Sequence, residues 1–209
     1  MRLCVQNVDG IPNPHYDPVS IKTEMICATV RSHDIAILLE TRTNDLDRLM
    51  VHLHDTHKLV CKLDVPQGYA GRRGYGLAVI ASRACAEFMT VHRFAADIQC
   101  VWMLCRKELF GMDNDVILGA MYANPQGSQF TRTQVREQFT NLYDELAHVT
   151  QVSPHVMLCG DFNAKIGNLR EVSDAHYEAL FDCPALQAPK RCECTCQFGW
   201  QFACGYCCC

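Results

Sequence analysis

Val156-Met157-Leu158-Cys159-Gly160-Asp161-Phe162-Asn163-Ala164 is the stretch that decides the reading of this chain. A short apolar run, the mark of a buried strand, stops at a glycine. Gly160 allows the chain to bend closely at the strand's end. Asp161 and Asn163 lie two residues apart, so an extended backbone points both side chains to the same side. A carboxylate beside an amide at the end of a core strand suits a divalent metal with a phosphate. Alone, the segment also reads as a strand end followed by a polar turn.

Working outward, other runs repeat the pattern. Leu3 to Val8 predicts a first strand. Asp17-Pro18 offers a helix N-cap followed by proline at the first helical position, and Ile21, Met25 and Ala28 give the apolar stripe of a helix ending near Arg31. Ile35 to Leu39 is a continuous apolar run that ends at Glu40. Leu46, Leu49 and Leu53 mark a short helix. Leu59 to Val65, Leu77 to Ser82, Cys100 to Cys105 and Val116 to Tyr122 predict further strands, with Gly68, Gly71, Gly74 and Gly76 marking the turn before Leu77. Thr131 with Gln134 forms a capping-box pattern, and Val135, Phe139, Leu142 and Leu146 continue as an amphipathic helix. Strands in succession with helices between them predict a layered α/β sandwich.

The composition is that of a globular domain: 209 residues, 49% hydrophobic and 20% charged. A net charge of −4 argues against a protein that coats nucleic acid by charge alone. It leaves room for an enzyme whose metal supplies positive charge locally. No run approaches the roughly 18 apolar residues of a membrane span, and the N-terminus lacks a signal-peptide core. The expectation is an intracellular protein that does not engage membrane. Seven of the 15 cysteines lie between Cys4 and Cys159, mostly inside apolar runs, as reduced, buried thiols do. The other eight fall between Cys183 and Cys209. That break predicts a domain over residues 1–182 and a cysteine-rich, disordered tail over 183–209.

Three predicted strands end in polar residues that could converge: Asn7 on the first, Glu40 on the second, Asp161 and Asn163 on the last. Acids at buried strand ends are costly unless paired or bound to a metal. His52, His54 and His57 do not share one ligand face, since His52 and His54 lie roughly 200° apart on a helix, and they read as surface histidines. Arg72-Arg73 reads as a solvated loop, with contact to a phosphate backbone as the alternative. Zinc is a poor fit to the tail, where the paired Cys-x2-Cys spacing occurs once and histidine is absent. The tail reads instead as foreign to the domain, the product of a frame shift or read-through.

Gln6-Asn7-Val8-Asp9-Gly10, Asp34-Ile35-Ala36-Ile37-Leu38-Leu39-Glu40-Thr41, Gly74-Tyr75-Gly76-Leu77-Ala78-Val79, Met121-Tyr122-Ala123-Asn124-Pro125 and Gly160-Asp161-Phe162-Asn163-Ala164 occur in this order. Together they resemble the endonuclease/exonuclease/phosphatase proteins, the group of deoxyribonuclease I, over residues 1 to 170. In wording they are most similar to the endonucleases of LINE-type retrotransposons. The resemblance implies a deoxyribonuclease I-like sandwich, here incomplete at the C-terminus, and Mg²⁺-dependent hydrolysis of phosphodiesters in DNA, with Mn²⁺ as a possible substitute. It implies that Glu40 binds Mg²⁺ with help from Asn7, and that Tyr122 contacts the scissile phosphate. Asp161 would activate the attacking water, and Asn163 would hydrogen-bond a phosphate oxygen. Two departures stand out. Gln6 replaces the tryptophan usual before the asparagine, and the family's C-terminal Ser-Asp-His has no match. Ser173-Asp174-Ala175-His176 carries an inserted alanine and comes too soon after Asn163. An impaired catalyst is therefore expected. A phosphomonoesterase acting on inositol phosphates or lipid, and a non-catalytic remnant, are the rival readings.

Overall fold

Two four-stranded sheets stack face to face in the computed structural model, which describes residues 1–12, 20–67, 74–124 and 131–163. The first sheet runs β1 (Leu3–Asn7), β2 (Ile35–Leu39), β4 (Leu77–Ser82), β3 (His57–Leu63). The second runs β5 (Met89–Ala95), β6 (Cys100–Cys105), β7 (Val116–Tyr122), β8 (His155–Asp161). In each sheet one neighbouring pair is parallel, β1 with β2 and β7 with β8, and the remaining pairs are antiparallel. Helices α1 (Ile21–Arg31) and α2 (Asp47–Val51) belong to the first sheet's outer face, the short α3 (Arg83–Ala86) and α4 (Lys107–Phe110) follow β4 and β6, and α5 (Arg132–Val149) belongs to the second sheet's outer face. The layered α/β sandwich expected from the sequence is the architecture found.

Three apolar layers hold it together. Ile35, Ile37, Leu39, Val79, Val101, Met103, Leu118 and Ala120 fill the space between the sheets. Alternate residues of the same strands, Ala36, Leu38, Ala78 and Ile80, pack with Ile26, Cys27 and Val30 of α1 and Leu49 of α2. Because β2 and β4 are covered on both faces, they carry unbroken apolar runs rather than alternation. Trp102 lies under α5 in the third layer. Only a glycine at 119 leaves room for its ring, since a Cβ there would come within 2.3 Å of it.

Several expectations need correction. The described part of α1 begins at Ile21 with Ser20 as N-cap; Asp17 and Pro18 lie outside the described residues. Its buried stripe is Ile26, Cys27 and Val30, while Ile21 and Met25 are 74% and 64% exposed. The face was mis-phased because Ile21 and Met25 are spaced helically but sit off the sheet. β5 was not expected, since only its two ends are buried and a register shift interrupts it between Val91 and Arg93. β3 starts two residues early, at His57, and this histidine is buried rather than on the surface. Its Nε2 meets the His33 carbonyl at 3.0 Å and its Nδ1 meets Thr56 Oγ1 at 2.8 Å, so both ring nitrogens are satisfied inside the fold. The Thr131–Gln134 capping box forms as expected. The cysteines of the described residues are all free, with Cys85 and Cys159 only half-buried. Arg72-Arg73, Ser173 to His176, the boundary at 182 and the cysteine-rich tail lie outside the described residues.

Candidate active site

The two parallel strand pairs end at the same end of the sandwich, and that is where the predicted polar residues meet. In the first sheet Asn7 pairs in register with Leu39, so it stands beside Glu40. In the second sheet Tyr122 pairs with Asp161. Asn7 Nδ2 donates to Glu40 Oε1 at 2.9 Å and lies 3.4 Å from Asp161 Oδ2, linking the sheets across 154 residues of sequence. Tyr122 donates its hydroxyl to Glu40 Oε1 at 2.7 Å. Asn163 folds back over Asp161: its backbone N–H donates to Asp161 Oδ1 at 3.0 Å, and its Nδ2 donates to the Ala123 carbonyl at 2.7 Å. All five residues singled out in the sequence therefore belong to one cluster.

Arg42 completes it and was not singled out. Its Nη2 reaches Glu40 Oε2 at 2.9 Å and also bonds Asp9. The backbone N–H of Gly74 donates to the same Glu40 oxygen at 3.3 Å. Glu40, 7% exposed, thus accepts from four donors. Burial alone would raise its pKa, but hydrogen bonds from Tyr122, Asn7, Arg42 and Gly74 outweigh that and hold the carboxyl below its ordinary value. Tyr122 is shifted the other way: burial first, then the Glu40 carboxylate, push its phenol well above the usual range. It therefore stays protonated, a hydrogen-bond donor, at neutral pH. Strand alternation gives no signal for Arg42, because Glu40 and Arg42 lie past the end of β2 with left-handed rather than extended backbones.

The backbone is unusual at this end. Among the described residues the non-glycine residues with positive φ are Asp9 (48°), Glu40 (54°), Arg42 (57°), Gln99 (50°) and Asn163 (43°). Four of these are in the cluster, and such conformations cost on the order of 1 kcal/mol or more each. Gln99 supports it from behind. Its Nε2 donates to Asn124 Oδ1 at 2.6 Å, while the buried Gln138 of α5 donates to the Ile98 and Tyr122 carbonyls and accepts from Asn124 N–H at 2.9 Å. Gln138 falls on the inner face of an amphipathic helix, where sequence periodicity gives no hint of a polar role.

The donor set bears on a metal. Glu40, Asp161 and Asn7 offer hard oxygen atoms, which suit Mg²⁺ or Mn²⁺ and not a soft ion. Among the described residues three carboxylates (Asp9, Glu40, Asp161) meet one guanidinium, with the Lys22 ammonium at the Asp9 carbonyl, which leaves room for a further cation beside an anionic phosphate. No group of three or more His, Cys, Asp or Glu side chains forms a ready-made metal cage among the described residues. Mg²⁺ suits one or two carboxylates with retained waters, so the residues present fit it.

No family model matches the chain, and no curated protein matches it. Solved structures do. TDP2 from Caenorhabditis elegans superposes with a TM-score of 0.52 at 17% identity, covering 78% of this chain and 48% of that one. The human nocturnin catalytic domain, solved with bound sulfate, gives 0.51 at 14% identity over 86% of this chain and 73% of its own. A mannosyl-6-phosphatase from Bacteroides thetaiotaomicron gives 0.55 at 10% identity, over 87% and 70%. The fold is the deoxyribonuclease I-like α/β sandwich. The chain spans about half the length of the TDP2 it matches.

Proposed function

We propose that this chain is a phosphoester hydrolase domain of the endonuclease/exonuclease/phosphatase type, acting on phosphodiesters in DNA and of retroelement kind. The observation that carries the hydrolase reading is the meeting of Asn7, Glu40, Tyr122, Asp161 and Asn163 around shared hydrogen bonds at one end of the sandwich. The substrate and the LINE-type assignment rest on the motif wording. Glu40 and Asn7 would hold Mg²⁺, which when bound supplies charge neutralisation at the phosphate. Asp161 would accept a proton from water, since among the described residues its Oδ2 has only the long contact to Asn7. Arg42 offers a guanidinium to a phosphate oxygen. Tyr122 and Asn163 are donors too, but each is occupied, on Glu40 and on the Ala123 carbonyl, and a phosphate must compete for them. No histidine bonds to the cluster among the described residues.

A phosphomonoesterase is the second reading, favoured by the likeness to the mannosyl-6-phosphatase. Nicking of supercoiled plasmid, assayed beside phosphate release from inositol phosphates, separates the two. Activity should need Mg²⁺ and vanish with chelator, and Asp161→Ala should lower it about 10²–10⁴-fold, the range of a lost general base. Calorimetric titration gives a readout free of turnover: Glu40→Gln should weaken Mg²⁺ binding. Hydrolysis indifferent to Asp161→Ala, or Mg²⁺ binding indifferent to Glu40→Gln, would overturn the assignment.

A further inference from the structure

Every acceptor position on the Glu40 carboxylate is taken. Its two oxygens offer about four lone-pair sites. Oε1 accepts from Asn7 Nδ2 at 2.9 Å and from the Tyr122 hydroxyl at 2.7 Å. Oε2 accepts from Arg42 Nη2 at 2.9 Å and from the Gly74 N–H at 3.3 Å. A cation that binds Glu40 directly must therefore replace one of these donors.

The four are not equally replaceable. Tyr122 is buried at the end of β7, a strand paired on both sides. The Asn7 amide is fixed from its other end, because its Oδ1 accepts from Asp9 N–H at 3.0 Å. Gly74 donates from the backbone. Arg42 differs from all three. It carries charge of the same sign as a metal ion, so the two repel when both lie on one carboxylate. It also has a second carboxylate in hand, since the same Nη2 bonds Asp9. The backbone beneath it is pinned from two sides. Thr41 and Arg42 N–H donate to the Gly76 and Tyr75 carbonyls, each at 3.1 Å, while Gly10 and Ile11 N–H donate to the Glu40 and Thr41 carbonyls at 2.7 and 2.9 Å. Arg42 can thus leave Glu40 by side-chain rotation alone. The Asp9 side chain is 67% exposed and that of Glu40 10%, so the rotation carries the guanidinium outward.

We propose that Arg42 is an exchangeable counterion of Glu40, which gives up its hydrogen bond there when Mg²⁺ binds and moves wholly onto Asp9. This rests on the assignment of Glu40 as a Mg²⁺ ligand. Displacing Arg42 costs metal affinity. In return it frees guanidinium N–H groups for a phosphate oxygen. Asp9 is the positioning residue that holds Arg42 at the site after the exchange.

Calorimetric titration of the 209-residue chain with Mg²⁺ alone tests this, without turnover. Arg42→Met removes the competitor and should tighten Mg²⁺ binding about 10-fold, the size of one hydrogen bond to a charged group. Asp9→Asn removes the place to which Arg42 moves and should weaken binding about 3-fold, within the range of an exposed ion pair. In the double variant Asp9→Asn should have no further effect, because no arginine is left to receive. Circular dichroism melts check that each variant folds. Binding that Arg42→Met leaves unchanged or weakens overturns the proposal: Arg42 then only orients Glu40, or the ion reaches it through water. No weakening in Asp9→Asn overturns it as well. So does an Asp9→Asn effect of equal size with and without Arg42, which would make Asp9 a ligand itself. Glu40→Gln titrated beside them separates the two levels. Weakened binding there with no gain in Arg42→Met sinks the exchange alone; unchanged binding there sinks the metal assignment with it.

Discussion

The β3/β5 flank and the β1/β8 flank are made of the same kind of short strand, yet they are built differently. Lysine, arginine and register shifts protect the first. The second presents Leu3-Cys4-Val5 and Val156-Met157-Leu158-Cys159 with no charge among them. The candidate site draws on this difference. Glu40 and Tyr122 follow or end β2 and β7, which are buried throughout, and their hydrogen bond is 2.7 Å. Asn7 and Asp161 end β1 and β8, each of which pairs with one strand among the described residues, and their contact is 3.4 Å. One half of the site is thus set by strands buried throughout, while the other stands on strands that have a single neighbour among the described residues.

The largest effect should come from breaking the β1/β8 flank itself. A Cβ at Gly160 would stand 1.9 Å from the Met121 carbonyl oxygen, a backbone atom that cannot swing away. Gly160→Val should detach β8 from β7 and cost about 3 kcal/mol or more, beyond ordinary overpacking. A urea midpoint shift under about 1 kcal/mol, on the same scale, would show that β8 is already loosely attached.

A smaller effect tests the core-set half. The Glu40 carboxyl titrates below its unfolded value of 4.5, so its contribution to stability is complete above pH 4.5 and is lost as pH falls through the folded value. Melting temperature should drop over that acid window, and Glu40→Gln should flatten the drop. An unchanged acid profile in the variant would mean that the four hydrogen bonds to this carboxylate do not stabilise the fold.

The guarded flank should yield the smallest change in stability. Arg93→Ala removes a partly exposed ion pair with Glu145, at 2.8 Å, and should cost about 0.2–1 kcal/mol. Its effect should show in association instead, because a guard is removed from β5. Unchanged concentration dependence in light scattering would mean that the bulge alone protects this edge.

The sequence by itself determined the strands that lie in the core, because a strand covered on both faces must be apolar at every position, and Ile35–Leu39, Val116–Tyr122 and Val156–Cys159 are. It also marked Glu40 and Asp161, since an acid directly after such a run is costly unless it has a partner. β5 and the buried face of α1 were not legible, because exposure on an edge and helical phase are set by neighbours distant in sequence. Only the tertiary structure decided that two parallel pairs, one in each sheet, end side by side and bring Asn7 to both acids. It also decided that Arg42 would neutralise Glu40, that Gln138 would hold the turn behind Tyr122, and that His57 would be buried. Composition and periodicity act over a turn or a strand. Hydrogen bonds between side chains 33 to 154 residues apart exist only once packing has fixed where each strand ends.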